Sequence, residues 1–225
     1  MNRYNKLVAS AATASLVRSA VVQEVCEEIS STSFKDVSEQ YKDAVNYLVN
    51  NNMTAGISPT EYGTGLYIKR VDVAVILAKA TLTKEEIERA PSSNFIDVPA
   101  RAVPYINALK AKGVVKGLTT TFFGANLMMT RGEAALMLAR AYGIHGNVAS
   151  VHFVDVAPLY KEAVAAFIEY GILSGDQGNK FRTAQLIKRG ELAIFLYKLE
   201  TLHSVETRDE LFEWSTLRRQ YLELQ

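Results

Sequence analysis

One phrase, repeated three times at a fixed distance from a second, restricts what this chain can fold into. Phe34-Lys35-Asp36-Val37, Phe95-Ile96-Asp97-Val98 and Phe153-Val154-Asp155-Val156 each precede, by 36 residues from the phenylalanine, an arginine that opens an apolar stretch: Arg70, Arg131 and Arg189. The starts lie 61 and 58 residues apart, so the internal distance is held while the connectors vary. Gly56, Gly117 and Gly175 stand 22 residues after their phenylalanine, and Tyr62, Phe123 and Phe181 stand 28 after it. Ungapped agreement of this kind means one supersecondary unit used three times.

Each unit reads as helix, glycine-punctuated loop, helix. Tyr41, Ala44, Val45, Leu48 and Val49 form an apolar stripe at helical spacing, answered by Tyr105, Ile106, Ala108 and Leu109 and then by Tyr160, Ala163, Val164 and Phe167. Pro99, Pro104 and Pro158 fall near helix starts, where a missing N–H does little harm. Gly113 and Gly171 end the first helix in two copies as left-handed residues, with Asn52 as a tolerated substitute in the other. Thr83–Asn94 and Gly143–Ser150 are connectors, the former with a helical turn at Lys84-Glu85-Glu86.

The second helix carries the most chemistry. In Met129-Thr130-Arg131-Gly132-Glu133, Thr130 is placed as an N-cap and Glu133, three residues on, completes a capping box. Asp72 and Glu191 are the corresponding acids in the outer copies, where Lys69 and Lys188 replace the threonine. An arginine in the first turn sits beside unpaired N–H groups and the positive end of the helix dipole, an arrangement that suits an anion. The opposing reading, an arginine that merely pairs with a nearby carboxylate, stays open. The aspartates of Phe-x-Asp-Val read as turn or cap residues rather than an acid and base. The recurring aromatic reads as a core plug. No nucleophile–base arrangement, metal motif or phosphate loop accompanies them, so no catalytic residue, cofactor or metal is assigned.

Composition narrows the rest. With 48% hydrophobic and 22% charged residues over 225 positions the chain is globular, and 25 basic against 24 acidic residues leave a net charge of +1 that gives no case for nucleic acid. Cys26 has no disulfide partner within the chain, and His145, His152 and His203 lack metal-motif spacing. Arg3 and Lys6 precede an uncharged run from Leu7 to Val17 with the charge order of a signal peptide, against which stand its Ala, Ser and Thr content, Arg18, and Glu24, Glu27 and Glu28. The run is too short to span a bilayer, and no transmembrane segment is expected. After Leu202, Thr207 and Glu210 offer another capping box ahead of Leu211, Trp214, Leu217, Tyr221 and Leu224, an amphipathic tail helix.

Phe-x-Asp-Val, a helix, the loop glycines, an aromatic and then Thr-Arg-Gly-Glu-Ala together resemble the S-layer homology module of bacterial cell-surface proteins. The resemblance covers about residues 34 to 201. It implies an all-α fold of three helix-loop-helix repeats in a compact pseudo-threefold arrangement, with grooves between lobes. The repeats fall at 34–83, 95–144 and 153–202, between an N-terminal segment (1–33) and a C-terminal amphipathic helix (203–225). It further implies noncatalytic attachment to secondary cell-wall polysaccharide through a pyruvylated amino sugar, at the cell wall or S-layer outside the cell, and leaves room for self-assembly through regions outside the repeats.

Carried over residue by residue, the family's motif arginines correspond to Arg70, Arg131 and Arg189, and its loop glycines to Gly56, Gly117 and Gly175. A guanidinium engages a carboxylate with two parallel hydrogen bonds, which an ammonium does not imitate. Lys69 and Lys188 either add charge to their grooves or mark decayed sites, and Arg182 stands where the other copies have Gly63 and Gly124, narrowing the third loop. The second repeat is the most faithful copy, which ranks Arg131 first for ligand binding. The competing reading is a helical repeat scaffold for a protein or peptide partner, with the arginines holding loops together.

Overall fold

In a computed structural model that describes residues 34–173 and 179–202, seven helices carry the fold: α1 (Glu39–Asn50), α2 (Arg70–Thr81), α3 (Lys84–Glu88), α4 (Val103–Ala111), α5 (Arg131–Tyr142), α6 (Lys161–Glu169) and α7 (residues 189–202). Short 3₁₀ turns at Ala100–Ala102 and Pro158–Tyr160 lead into α4 and α6. No strand occurs among the described residues. The signal-like N-terminal segment and the tail helix lie outside them.

The helix ends are written locally. α4 and α6 stop at Gly113 and Gly171 and α1 at Asn52, all with positive φ (74°, 65° and 58°). In each, the next N–H folds back onto the last turn, from Met53, Val114 and Ile172 to the carbonyls of Leu48, Leu109 and Phe167. Thr130 and Glu133 form the full capping box at α5, and Thr83 and Glu86 form another at α3. Lys69 gives α2 no side-chain cap.

The long-range packing does not follow the sequence repeat. The second helix of one repeat packs on the first helix of the next, α2 on α4 and α5 on α6. The circle closes through α7 and α1, where Tyr47 and Tyr197 meet edge to face at 5.4 Å and a Cβ on Gly190 would lie 2.9 Å from the Tyr41 ring. The residues just ahead of α2, α5 and α7 meet on the pseudo-threefold axis. There the Ile68 N–H donates to the Ile187 carbonyl (3.4 Å), Ile187 to Met129 (2.9 Å) and Met129 to Ile68 (3.1 Å), a closed ring whose side chains are fully buried. None of the three segments could satisfy its backbone alone.

Around this axis each repeat seats two aromatics: Phe34 on Tyr62, Phe95 on Phe123 and Phe153 on Phe181, with centroids 5.7, 5.6 and 6.1 Å apart. The Phe-x-Asp-Val aspartate clamps the loop bearing the second aromatic. Asp97 accepts from the N–H groups of Phe123, Gly124 and Ala125, and Asp36 from Tyr62, Gly63 and Thr64, all within 2.9 Å. Asp155 accepts from Phe181 and Arg182. The aspartate thus serves backbone 26 to 28 residues away as well as its own N–H.

The middle residue of that clamp takes a left-handed conformation in every copy: Gly63 at φ 86°, Gly124 at 84° and Arg182 at 63°. Arg182 is therefore held where an L side chain costs about 1–2 kcal/mol, against the smaller entropic cost of a glycine. Arg182→Gly is expected to raise the unfolding free energy by about 0.5–1 kcal/mol in urea denaturation. Unchanged or lower stability would show that the arginine side chain stabilises the loop by more than its backbone strain.

Candidate functional site

Each motif arginine leaves its own repeat and enters the loop of the next. The main-chain N–H of Arg131 donates to the Gln185 carbonyl (2.8 Å) and that of Gly132 to Thr183 (3.0 Å). Arg70 and Val71 do the same to Leu127 and Ala125, and Arg189 and Gly190 to Leu66 and Thr64. The first-turn donors that suit an anion in the sequence are thus occupied by neighbouring carbonyls. What remains to meet a ligand is the guanidinium.

The three guanidinia share one feature, an aromatic ring beneath each. Arg189, Arg70 and Arg131 lie over the rings of Tyr62, Phe123 and Phe181 at 4.6, 4.9 and 5.2 Å. Each ring belongs to the next repeat around the axis. Nε of Arg131 donates to the Phe181 carbonyl (3.1 Å) and Nε of Arg189 to the Tyr62 carbonyl (3.0 Å). Arg131 also pairs with Glu191 at 3.0 Å, while Arg189 donates to Thr54 Oγ1 (2.7 Å) and the Ala55 carbonyl (2.6 Å).

Arg70 departs from this pattern. Its Nη2 donates to the Lys116 carbonyl (3.1 Å) and its Nη1 stands 3.8 Å from Glu133 Oε1, but its Nε is buried without a partner among the described residues. Burial lowers the proton affinity of this guanidinium; Glu133 opposes the shift, and the Arg140 charge adds to it.

Arg70 lies in a cleft of about 260 Å³ assembled from all three repeats. The second repeat supplies Lys116, Gly117, Glu133 and Arg140, and the third supplies Leu159 and Tyr160. Val114, Val115, Leu136 and Met137 make an apolar wall. The Tyr160 hydroxyl is held in its neutral form by burial and by Glu133, with Arg70 acting the other way. Three cations, a phenol and one carboxylate in a concave, partly apolar setting fit an anion with an organic body.

The other expected residues divide by place. Glu133 closes the capping box through Oε2 and turns Oε1 toward Arg70, and Glu191 accepts from the Lys188 N–H (2.8 Å) while pairing Arg131. Asp72 is taken by Arg101 at 2.7 Å and does not serve Arg189. Lys69 reaches Asn126 Oδ1 (3.3 Å), and Lys69 and Lys188 pair in isolated bridges with Met128 and Tyr67 beside the axis, outside the lining of the Arg70 cleft. Gly56 and Gly117 lie against the Phe34 and Phe95 rings, where a Cβ would overlap both ring and loop carbonyls. Gly175 lies outside the described residues.

Sequence reasoning missed Lys116, Arg140 and Tyr160. A signal for Arg140 was present, since Lys79, Arg140 and Lys198 stand 45 residues after their phenylalanines, a cation in every copy. Tyr160 was read only as core, because nothing local shows that the third repeat reaches a cleft between the first two.

Comparison with known proteins adds an independent line. The family model described as the S-layer homology domain matches residues 96–135 and 152–193. The Surface-layer 125 kDa protein of Lysinibacillus sphaericus is 31% identical over 79% of this chain, and the S-layer protein of Bacillus thuringiensis subsp. finitimus is 27% identical over 91%. Exoglucanase XynX of Acetivibrio thermocellus is 26% identical over 75%. The chain spans only 15%, 25% and 16% of the lengths of these relatives. Two stretches matched by one domain model and relatives that are surface-layer proteins show that this chain carries S-layer homology domains and is homologous to bacterial S-layer proteins.

Proposed function

We propose that this chain is a noncatalytic cell-wall anchoring module that binds an anionic, pyruvylated secondary cell-wall polysaccharide and so attaches a surface-layer or envelope protein outside the cell. Residues 34–83, 95–144 and 153–202 act as its three repeats, the first lying outside the regions that the family model matches. The observation that carries this reading is the buried, unpartnered Nε of Arg70 in a cleft with Lys116 and Arg140 and a single carboxylate. Surface-layer proteins and an exoglucanase share this stretch while it fills a small part of each, which supports attachment rather than catalysis. No helix among the described residues is long and apolar enough to cross a membrane.

Motif fidelity ranks Arg131 first, whereas the cleft ranks Arg70 first, because Arg131 is already paired with Glu191 and Arg189 is held by three loop oxygens. Full-length protein is expected to cosediment with pyruvylated wall and not with chemically depyruvylated wall. Arg70→Gln is expected to weaken that binding by about tenfold or more, the worth of one lost charge-assisted hydrogen bond. Arg131→Gln and Arg189→Gln are expected to weaken it less, with melting curves used to confirm that each variant folds. Equal pelleting with both walls would defeat the reading and favour a scaffold for a protein or peptide partner.

A further inference from the structure

The cleft holds two further cations beside Arg70. Arg140 and Lys116 are exposed at its mouth while Arg70 lies at its floor, the Arg70 side chain only 13% exposed. Neither the Arg140 nor the Lys116 side chain has an ion pair or hydrogen bond among the described residues. The position matching Arg140 in the third repeat is Lys198, whose ammonium donates to the carbonyls of Ile172 (2.8 Å) and Gly171 (3.4 Å). Arg140 has no such structural employment. Glu133, the cleft's one carboxylate, is half engaged by the Thr130 N–H and hydroxyl. Like charges gathered beside an apolar wall repel one another more strongly than they would in open solvent.

We infer that Arg140, with Lys116 beside it, forms a second anion position, so that the glycan selected by this cleft carries two negative groups. One is a carboxylate seated on Arg70 at the floor; the other is a carboxylate or phosphate on the adjoining part of the glycan, met by Arg140 at the mouth. This inference rests on the reading that the cleft binds an acidic glycan. It adds that Arg140 reads the neighbouring sugar.

Three synthetic disaccharides test it by calorimetric titration of the full chain. All end in a pyruvylated amino sugar, and the second sugar is neutral, carboxylated or phosphorylated. One or both dianionic probes are expected to bind about tenfold more tightly than the monoanionic one, and the tighter of them identifies the second group. Arg140→Gln is expected to erase that advantage, weakening the tighter dianionic probe by about tenfold more than the monoanionic one. No advantage for either dianionic probe, or an Arg140→Gln variant that alters all three affinities alike or none, would overturn the inference. The attachment reading is judged separately by Arg70→Gln, which must weaken all three probes; if it weakens none, that reading falls.

Discussion

Replacing Asp97 by alanine is expected to lower the free energy of unfolding by about 3 kcal/mol, measured by urea denaturation. The carboxylate collects three main-chain donors at 2.7, 2.8 and 2.8 Å. Bonds to a charged acceptor contribute about 1.5–3 kcal/mol each when removed singly, but three that share one acceptor are not additive, and water reaches a half-exposed site. Asp97→Asn keeps one acceptor oxygen and is expected to cost about half as much. The same geometry sets an acid limit. Burial alone would raise the carboxyls of Asp36 and Asp97, but the main-chain donors outweigh it and hold both below the ordinary value. A carboxyl depressed on folding stabilises the fold above its unfolded pKa, and that stability disappears as pH falls through the folded value. Stability should therefore decline below about pH 4, and less steeply in Asp97→Asn. Identical acid limbs in parent and variant would show that the Asp97 clamp does not govern this loss.

Gly117→Ala is expected to be nearly as damaging, at about 3 kcal/mol, although it adds one methyl group. The methyl would overlap the Phe95 ring and the Thr119 carbonyl and lie 2.9 Å from the Phe122 carbonyl. Two of these are backbone atoms of the loop that Asp97 clamps, so the strain cannot be relieved by a side-chain rotation. A glycine required only for ligand approach would give a stable protein that fails to bind. The geometry instead puts the primary defect in folding, with a lowered midpoint in thermal and urea unfolding before any glycan is added. A fully stable Gly117→Ala variant would show that the loop yields more readily than this packing implies.

Much of the local structure was legible in the sequence. Thr130 and Glu133 define a helix start through a contact three residues long, and Gly113, Gly171 and Asn52 define helix ends through the backbone conformation they tolerate. The apolar stripe of α1 located a buried face at Ala44, Val45 and Leu48. A stripe states that a face is covered, not by what. Hence the pairing of α2 with α4 and α5 with α6 cannot be read from the helix-loop-helix pattern of a single repeat. The arginines illustrate the same limit. Their recurrence at the head of a helix marked them as special, but the carbonyls that fill the first turn, and the Nε that alone stays unpartnered in Arg70, come from contacts between repeats. The long reach of the aspartates was missed for a similar reason, since these further partners lie 26 to 28 residues downstream.

The seam between α1 and α7 determines how the fold meets tension. Tyr41 lies against Gly190, and Tyr47 against Tyr197 and Glu200, so the two helices run in the same direction. The chain thus enters the seam at one end and leaves it at the other. A pull between the amino end of α1 and the carboxyl end of α7 slides the helices past each other and loads their contacts together, where an antiparallel pair would be peeled apart one turn at a time. A joint strained lengthwise resists more than one that is peeled, and this fold closes its circle along that line.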